Sequence, residues 1–217
     1  GLNVELMLRR LNKTMEGKAD VNTLAGEVLE SVQDVDRAVD AIRKLTSHLM
    51  SFTRASDTPQ EQHEKLDYYG AIDDALFLLK NKIMKNHVEV DVQAKAGQHF
   101  IIGTKNNVEQ VLANIVSNAC DAMEGRTEKK IIIRVRPEQR AGQPYWACEI
   151  ADTGPGIPED IREKIFHPFF TTKPRGKGTG LGLSIATGIV ANHKGFLDVA
   201  SEIGKGATFS VILPQSV

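Results

Sequence analysis

The sequence predicts an α+β fold in which an N-terminal helical hairpin precedes a two-layer α/β sandwich with a mixed sheet. The hairpin is indicated by an apolar stripe with heptad-like spacing over residues 22–53. The sandwich is indicated by short strand-like segments that outnumber the helical patterns after residue 64 and come in hairpin-like pairs late in the chain. A polar segment at residues 53–64 separates the two patterns, so we expect domains at residues 1–57 and 64–217.

The first domain is expected to be a hairpin that dimerises. Its stripe consists of Leu24, Val28, Val32, Val35, Val39, Ile42, Leu45, Leu49 and Phe52. A shorter segment upstream has the same spacing, and an aperiodic turn around Gly17 lies between the two. Because one hairpin has too narrow a core to stand alone, we expect a homodimer whose two hairpins form a four-helix bundle. Packing of the hairpin on its own downstream domain is the alternative.

In the second domain, helical and strand patterns are interspersed. The helices are expected at residues 72–83, 108–122 and 180–193, and the strands at 88–92, 99–103, 130–135, 145–152, 196–201 and 208–214. Such an order favours a mixed sheet with helices on one face.

Composition excludes several classes of partner. The chain has 217 residues, a net charge of −1, and no basic stripe with interleaved aromatic residues, so nucleic acid is not an expected partner. Neither a long apolar run nor a signal peptide is present, so we expect a cytoplasmic location and no membrane contact by these residues. The chain begins with Gly rather than Met, which is compatible with a membrane segment in a longer parent. Cys120 and Cys148 are expected to be small buried residues in a reducing compartment.

The motif "DTGPGIP" follows an expected strand and places Asp152 at its end. A carboxylate there can accept a hydrogen bond from an exocyclic amine, and Gly154 and Gly156 would let a flat ring approach the backbone. A plain glycine-proline turn capped by the aspartate is the alternative.

The motif "GKGTGLGLSIA" runs directly into an expected helix. Free amides at a helix start, together with the helix dipole, favour an anion such as phosphate. Its spacing fits neither a P-loop nor a dinucleotide-binding fingerprint. A flexible, glycine-rich helix entry is the alternative.

The motif "QVLANIVSNACDAM" places Asn114 and Asn118 four residues apart on one helix, with Asp121 near the same face. An amide oxygen there could coordinate Mg²⁺, which prefers oxygen ligands. Hydrogen bonds from the two amides to neighbouring loops are the alternative.

Together and in this order, these motifs resemble the ATP-binding domain of sensor histidine kinases, in the GHKL (Bergerat-fold) ATPase superfamily. "NIVSNACDAM" resembles the N box, "DTGPGIP" the first glycine box, "IFHPFFTTK" the F box and "GKGTGLGL" the second glycine box. The resemblance extends over residues 64–214, and the hairpin resembles the later part of the family's dimerisation and phosphotransfer domain.

The resemblance implies ATP and Mg²⁺ as cofactors. It implies that Asp152 accepts from the adenine amino group, that Thr208 supports adenine, and that Asn118 ligates Mg²⁺ with Asn114 nearby. The lid would be anchored by Phe166, Phe169 and Phe170, for which simple core packing is the alternative, and Lys173 would meet phosphate charge. The expected ATP-binding residues are Asn114, Asn118, Asp121, Asp152, Gly154, Gly156, Ile157, Phe170, Lys173, Gly176, Gly178, Thr179, Gly180, Leu181, Gly182 and Thr208.

The implied activity is that of a protein-histidine kinase of a two-component system, with relay of the phosphoryl group to a response-regulator aspartate. In hydrolytic relatives a glutamate stands at the place of Asn114, and an amide cannot act as a base. A hydrolytic GHKL ATPase and a non-catalytic dimerisation and nucleotide-sensing module, that is, a degenerate kinase, remain alternatives.

No catalytic histidine is expected within these residues. The family's acceptor lies on the first bundle helix, followed by an acidic residue and, a turn later, a proline. His48 is followed by Leu49, and His63 lies in the polar segment without that proline; the other four histidines lie outside the hairpin. We expect the acceptor about two to three turns upstream of Gly1.

Overall fold

A computed structural model describes residues 64–174 and 178–216, together with the isolated helical positions Gly26, Leu29 and Val32. The chain divides into two compact units, residues 1–58 and 59–217, and every element described below belongs to the second. The predicted hairpin at residues 1–57 lies outside the described residues apart from those three positions, so its dimerisation stays a prediction.

The second unit is built on a five-stranded mixed sheet. The described residues of this unit include seven strands, of which five form this sheet. They are β1 (Glu64–Asp67), β2 (Glu89–Val92), β3 (Phe100–Gly103), β4 (Lys130–Arg140), β5 (Gln143–Asp152), β6 (Phe196–Glu202) and β7 (Gly206–Pro214). The main sheet has the order β2-β4-β5-β7-β6, in which β2 and β4 are parallel and the other neighbours antiparallel. The remaining two strands, β1 and β3, form a separate antiparallel pair. The predicted mixed sheet is confirmed.

Four α-helices accompany these strands in the described ranges. They are α1 (Tyr68–Leu78), α2 (Lys80–Lys85), α3 (Lys105–Ala122) and α4 (Gly182–Asn192), with two 3-10 turns at Glu159–Ile161 and Lys164–Phe166. The single helix predicted over residues 72–83 is wrong, because the helical ladder is interrupted at Leu79 and two helices result. None of these helices is both long and apolar enough to cross a bilayer.

The core lies between one face of the main sheet and the helices. Alternate residues of the central strands, such as Ile133, Ile150 and Val211, are 0–1% exposed and form one cluster with the apolar side of α3. The opposite face carries charged pairs, for example Arg136 Nε to Glu149 Oε1 at 2.6 Å. This arrangement agrees with the predicted two layers.

Both cysteines are buried, as predicted. Burial raises the pKa of the Cys148 thiol far above its usual range. Neither thiol is therefore suited to nucleophilic chemistry.

The start of α1 is tied to the centre of the sheet by Tyr68. Its ring is fully buried, and its hydroxyl donates a hydrogen bond to the carbonyl oxygen of Val211 at 2.9 Å. Just before it, the Asp67 side chain accepts from the Tyr69 amide at 3.3 Å, which caps the helix. The beginning of α1 and the middle of β7 are thus held together.

We predict that Tyr68→Phe lowers the free energy of unfolding by about 1 kcal/mol, because it removes a buried hydrogen bond while keeping the ring. Urea unfolding of the full chain measures this change. Tyr145→Phe removes a hydroxyl from a partly exposed ring and should leave the midpoint within error. Equal midpoints for both variants would contradict the role given to the Tyr68 hydroxyl.

Candidate functional site

Asp152 lies at the end of β5 and is 8% exposed. Its Oδ1 accepts hydrogen bonds from the backbone amides of Gly154, at 2.7 Å, and Ala207, at 3.3 Å. No hydrogen bond from the described residues engages Oδ2. One carboxylate oxygen is therefore fixed by the backbone, and the other is available to a donor.

The electrostatic setting of Asp152 is unusual for an aspartate. Burial raises its pKa, and the two backbone amides and the positive charge of Arg126 offset this only in part. The ionised carboxylate is costly here. A ligand that donates a hydrogen bond to it would lower that cost.

The backbone of two glycines packs closely against Asp152. A Cβ on Gly154 would lie 2.5 Å from Asp152 Oδ1, and a Cβ on Gly206 would lie 1.9 Å from the Asp152 carbonyl oxygen. Side chains at either position would collide with Asp152. The backbone of residues 154 and 206 can therefore approach Asp152 only because both residues are glycine.

The loop after Asp152 is bound to the turn between β6 and β7. Gly156 has a φ of +78°, and a Cβ there would lie 2.2 Å from the Glu202 carbonyl oxygen. The Pro155 carbonyl accepts from the Gly204 amide at 2.8 Å, and the Ile157 amide donates to the Ser201 hydroxyl at 2.8 Å. These contacts hold the loop of Gly154, Gly156 and Ile157 against the end of β6 and the turn that follows it. The assignment of these three residues to a nucleotide site stays a prediction.

Thr208 does not lie beside Asp152. It pairs with Ala151 across β5 and β7, and side chains of paired residues share a face while successive residues alternate. Ala207, which is buried and donates its amide to Asp152, therefore shares the face of Asp152, and Thr208 points to the opposite face. The assignment of Thr208 to this site is wrong.

The polar face of α3 contacts the two segments that follow in the chain. Asn114 Nδ2 donates to the Gly182 carbonyl at 3.1 Å, while Asn118 Oδ1 accepts from Lys173 Nζ at 3.2 Å. Lys173 Nζ also lies 2.7 Å from Asp121 Oδ2. The structure therefore brings together Asn114, Asn118, Asp121, Lys173 and Gly182, which the sequence assigned to one site.

Lys82, on α2, was not predicted to belong here. Its Nζ lies 2.6 Å from Asp121 Oδ1 and 2.7 Å from the Ser117 hydroxyl. Burial raises the pKa of the Asp121 carboxyl, but hydrogen bonds from Lys173 and Lys82 outweigh it and lower the pKa overall. Asp121 is therefore ionised near neutral pH.

The glycine-rich segment, residues 178–182, joins this cluster to α4. Gly180 has a φ of +66°, and a Cβ there would lie 2.4 Å from the Phe169 carbonyl carbon and 2.7 Å from the Phe170 oxygen. Leu181 is 6% exposed, Thr179 is exposed, and Gly182 begins α4. Gly176 lies outside the described residues. Within residues 64–174 and 178–216, no side-chain hydrogen bond caps α4, and amides at a helix start of this kind favour an anion.

The three phenylalanines of the preceding segment behave differently. Phe166 packs against the core cluster and Phe170 is half-buried, whereas Phe169 is 69% exposed and has a φ of +67°. The positive φ turns the ring of Phe169 to solvent, so its predicted anchoring role is wrong. The carbonyl groups of residues 169 and 170, rather than the Phe169 ring, meet Gly180.

The donor atoms beside Lys173 suit a hard divalent cation. Asn118 and Asp121 each present an oxygen there, and the Lys173 ammonium bridges both, which shows that a positive charge is accepted. No group of three or more metal-binding His, Cys, Asp or Glu side chains occurs in the described ranges. The amide oxygen of Asn118 and the carboxylate of Asp121 are ligands of the kind that Mg²⁺ takes together with water and phosphate oxygens.

Comparison with known proteins gives a consistent result. The family model described as "Histidine kinase-, DNA gyrase B-, and HSP90-like ATPase" matches residues 103–217. The two-component sensor PprA of Pseudomonas aeruginosa is 39% identical over 194 residues, which cover 88% of this chain and 20% of PprA. Sensor kinase CckA of Brucella abortus is 34% identical over 200 residues, with coverage of 88% and 20%. The chain spans about a fifth of the length of these two relatives.

Solved structures show the same fold. The catalytic domain of histidine kinase ThkA is 29% identical with a TM-score of 0.58, over 70% of this chain and 95% of that domain. The mycobacterial sensor histidine kinase MprB is 26% identical with a TM-score of 0.59, over 70% and 97%.

The pH dependence of stability should report on Asp152. Because its pKa is raised on folding, the folded state binds more protons than the unfolded state between the ordinary carboxyl pKa and the raised one. The contribution of Asp152 to the free energy of unfolding should therefore fall as the pH rises through that window. Asp152→Asn should lack this component while keeping the acceptor oxygen for Gly154 and Ala207.

Urea unfolding at a series of acidic to neutral pH values measures this difference. Asp73→Asn, which changes an exposed carboxyl on α1, should keep the pH slope of the parent. If Asp152→Asn keeps the same slope as well, the carboxylate is not perturbed in the way the buried site implies.

Proposed function

Because the chain belongs to the family of histidine kinase-, DNA gyrase B- and HSP90-like ATPases, we propose that it is the ATP-binding catalytic region of a protein-histidine kinase in a two-component system. The observation that carries the kinase reading is the residue at position 114. Asn114 has an amide where hydrolytic relatives would need a base, and that amide is bound to Gly182. The names of the similar proteins, which are sensor kinases, support the same reading.

Adenine is proposed to bind against Asp152. Its exocyclic amine would donate to Oδ2, while Oδ1 stays bound to the amides of Gly154 and Ala207. Gly154 and Gly206 let the backbone pack closely against Asp152, which holds Oδ1 in place and leaves Oδ2 for the amine. The loop at Gly156 and Ile157 would lie along the edge of the ring.

The phosphates are proposed to bind between α3 and the glycine-rich segment. Amides of Gly178, Thr179, Gly180 and Leu181, with the first turn of α4, would donate to phosphate oxygens. Phe170 would contribute its backbone behind Gly180, and Lys173 would add a positive charge.

Mg²⁺ is proposed to bind Asn118, with Asp121 nearby. The cation would supply neutralisation of phosphate charge during transfer. Asn118 holds its oxygen at the surface of α3, and Asp121 keeps a second oxygen beside it through its bond to Lys82. Asn114 does not serve as a ligand in this proposal; it ties the start of α4 to α3.

The phosphoryl group is proposed to pass to a histidine imidazole, with nitrogen as the nucleophile. Among the described histidines, His193 is 3% exposed, and its ring nitrogens lie 3.0 Å from the Thr104 amide and 2.7 Å from the Ile189 carbonyl oxygen. It therefore cannot reach a nucleotide. The acceptor is proposed to lie on a helix of the family's dimerisation and phosphotransfer domain.

Two partners follow from this proposal. One is a second copy of the chain, paired through the hairpin. The other is a response-regulator receiver domain, which would take the phosphoryl group on an aspartate. Histidine kinase ThkA has been solved in complex with the response regulator protein TrrA, and it resembles this chain at 20% identity with a TM-score of 0.66.

We predict that Asp152→Asn weakens ATP binding about tenfold, because a donor replaces the acceptor that faces the adenine amine. Isothermal calorimetry with Mg²⁺-ATP measures the change, and Asp73→Asn is the matched control. If both variants bind ATP as the parent does, Asp152 is not the adenine contact.

We predict that the present chain binds ATP without retaining its γ-phosphoryl group. A longer chain that carries the segment before Gly1 should become labelled by γ-labelled ATP with a product that is labile in acid and stable in base. Label on the present chain, mapped to His48 or His63, would show that the acceptor is misplaced. No label on the longer chain would favour the nucleotide-sensing alternative.

A further inference from the structure

The ammonium group of Lys173 lies against the face of α3 where a cation is proposed to bind. This ammonium lies 3.2 Å from Asn118 Oδ1 and 2.7 Å from Asp121 Oδ2, so one lysine contacts both oxygen donors. The lysine and aspartate side chains are about one-third exposed, which places the pair between a solvated and a buried ion pair. Such a pair contributes more than a fully exposed one, and it can still be broken by a competing charge.

The carboxylate of Asp121 does not depend on Lys173 for its position. Its other oxygen, Oδ1, lies 2.6 Å from Lys82 Nζ, and Lys82 is itself bound to Ser117 at 2.7 Å. If the Lys173 ammonium left, Asp121 would remain oriented by α2. The two oxygens would then be presented together to another cation.

Lys173 is also in contact with the glycine-rich segment. A Cβ on Gly178 would lie 3.1 Å from Lys173 Cδ and 3.2 Å from Lys173 Cβ, so the stem of the lysine runs along the backbone of Gly178. The Lys173 amide donates to the Thr171 hydroxyl at 3.1 Å, which fixes the base of the side chain. A change of side-chain conformation that carries both the ammonium and the stem of Lys173 away can therefore alter the packing at Gly178.

We propose that Lys173 is an internal competitor for the divalent cation: its ammonium holds the Asn118 and Asp121 oxygens in the nucleotide-free protein, and its displacement loosens the glycine-rich segment. This inference rests on the proposed function, which places the cation at Asn118. It assigns Lys173 a second role besides meeting phosphate charge. In this role the lysine couples occupancy of the cation site to the mobility of residues 178–182.

The coupling can be measured without nucleotide. Mn²⁺ added alone to the ¹⁵N-labelled full chain should broaden the backbone signals of Asn118 and Asp121. Lys173→Met should lower the Mn²⁺ concentration at half-effect about fivefold, the factor expected when an ion pair of this kind no longer competes. Lys105→Met removes a lysine ion pair on the exposed side of α1 and α3 and should leave the midpoint unchanged.

Hydrogen exchange separates competition from a general change of charge. In the parent, Mn²⁺ should increase amide exchange at residues 178–182, whereas Lys173→Met should exchange faster at the outset and not respond to the cation. Lys82→Met removes a lysine from the same carboxylate but not from Asn118 or Gly178. It should therefore keep the response of residues 178–182 to Mn²⁺, whatever its midpoint.

Several outcomes would overturn the inference. The first is a Mn²⁺ midpoint in Lys173→Met that equals that of the parent. The second is binding of Mn²⁺ by the parent without any change in amide exchange at residues 178–182. The third is an exchange response to Mn²⁺ in Lys173→Met that is as large as in the parent. Absence of any Mn²⁺ effect at Asn118 and Asp121 while Mg²⁺-ATP binds normally would reject the competition and leave the proposed function intact. Competition in a chain that binds no ATP would reject the proposed function instead.

Discussion

Helix α3 must satisfy two demands with one set of eighteen residues, and the rest of the site depends on how it does so. Its apolar side, with Val111, Leu112 and Ile115 each 1% exposed, packs within the core that the sheet and the helices share. Its other side carries Asn114 and Asn118, which bond to elements that come much later in the chain. Because the helix is held by its apolar side, its amides have a fixed direction, and the later segments are positioned against them.

The second constraint is steric and comes from backbone segments that approach one another closely. Near Asp152, the backbones of residues 154 and 206 lie where no side chain fits, and near Gly180 two carbonyl groups of the preceding segment occupy the space of a Cβ. The two glycine clusters of the sequence therefore serve different contacts. The first admits the loop to a buried carboxylate, and the second lets the start of α4 lie against residues 169 and 170.

Apart from β1, which the sequence did not predict, the strands and the mixed sheet could be predicted from the sequence. Motif order also placed the polar residues of α3 with Lys173 and Gly182, which the structure brings together. Prediction failed where the answer depends on side-chain direction. Thr208 was assigned by its place in a motif, although burial of Phe209 and Val211 on alternating positions of β7 implies the opposite face for it. The anchoring role predicted for Phe169 was wrong. Its positive φ could not be foreseen, because phenylalanine rarely adopts a positive φ and nothing in the sequence indicates one here. Lys82 was missed because its contact with Asp121 joins α2 to α3, and the apolar pattern over residues 72–83 does not indicate which polar side chains face α3.

The order of the main sheet leaves β2 and β6 at its two edges, and each edge is a template to which another chain could add a strand. At one edge the strand is only four residues long and carries Glu89 and Asp91. At the other, β6 carries Asp198, which is paired with Arg140, and Glu202, which is paired with Lys205, so charged side chains lie along this edge. Charged side chains at both edges, together with the shortness of β2, therefore disfavour growth of the sheet from one molecule into the next.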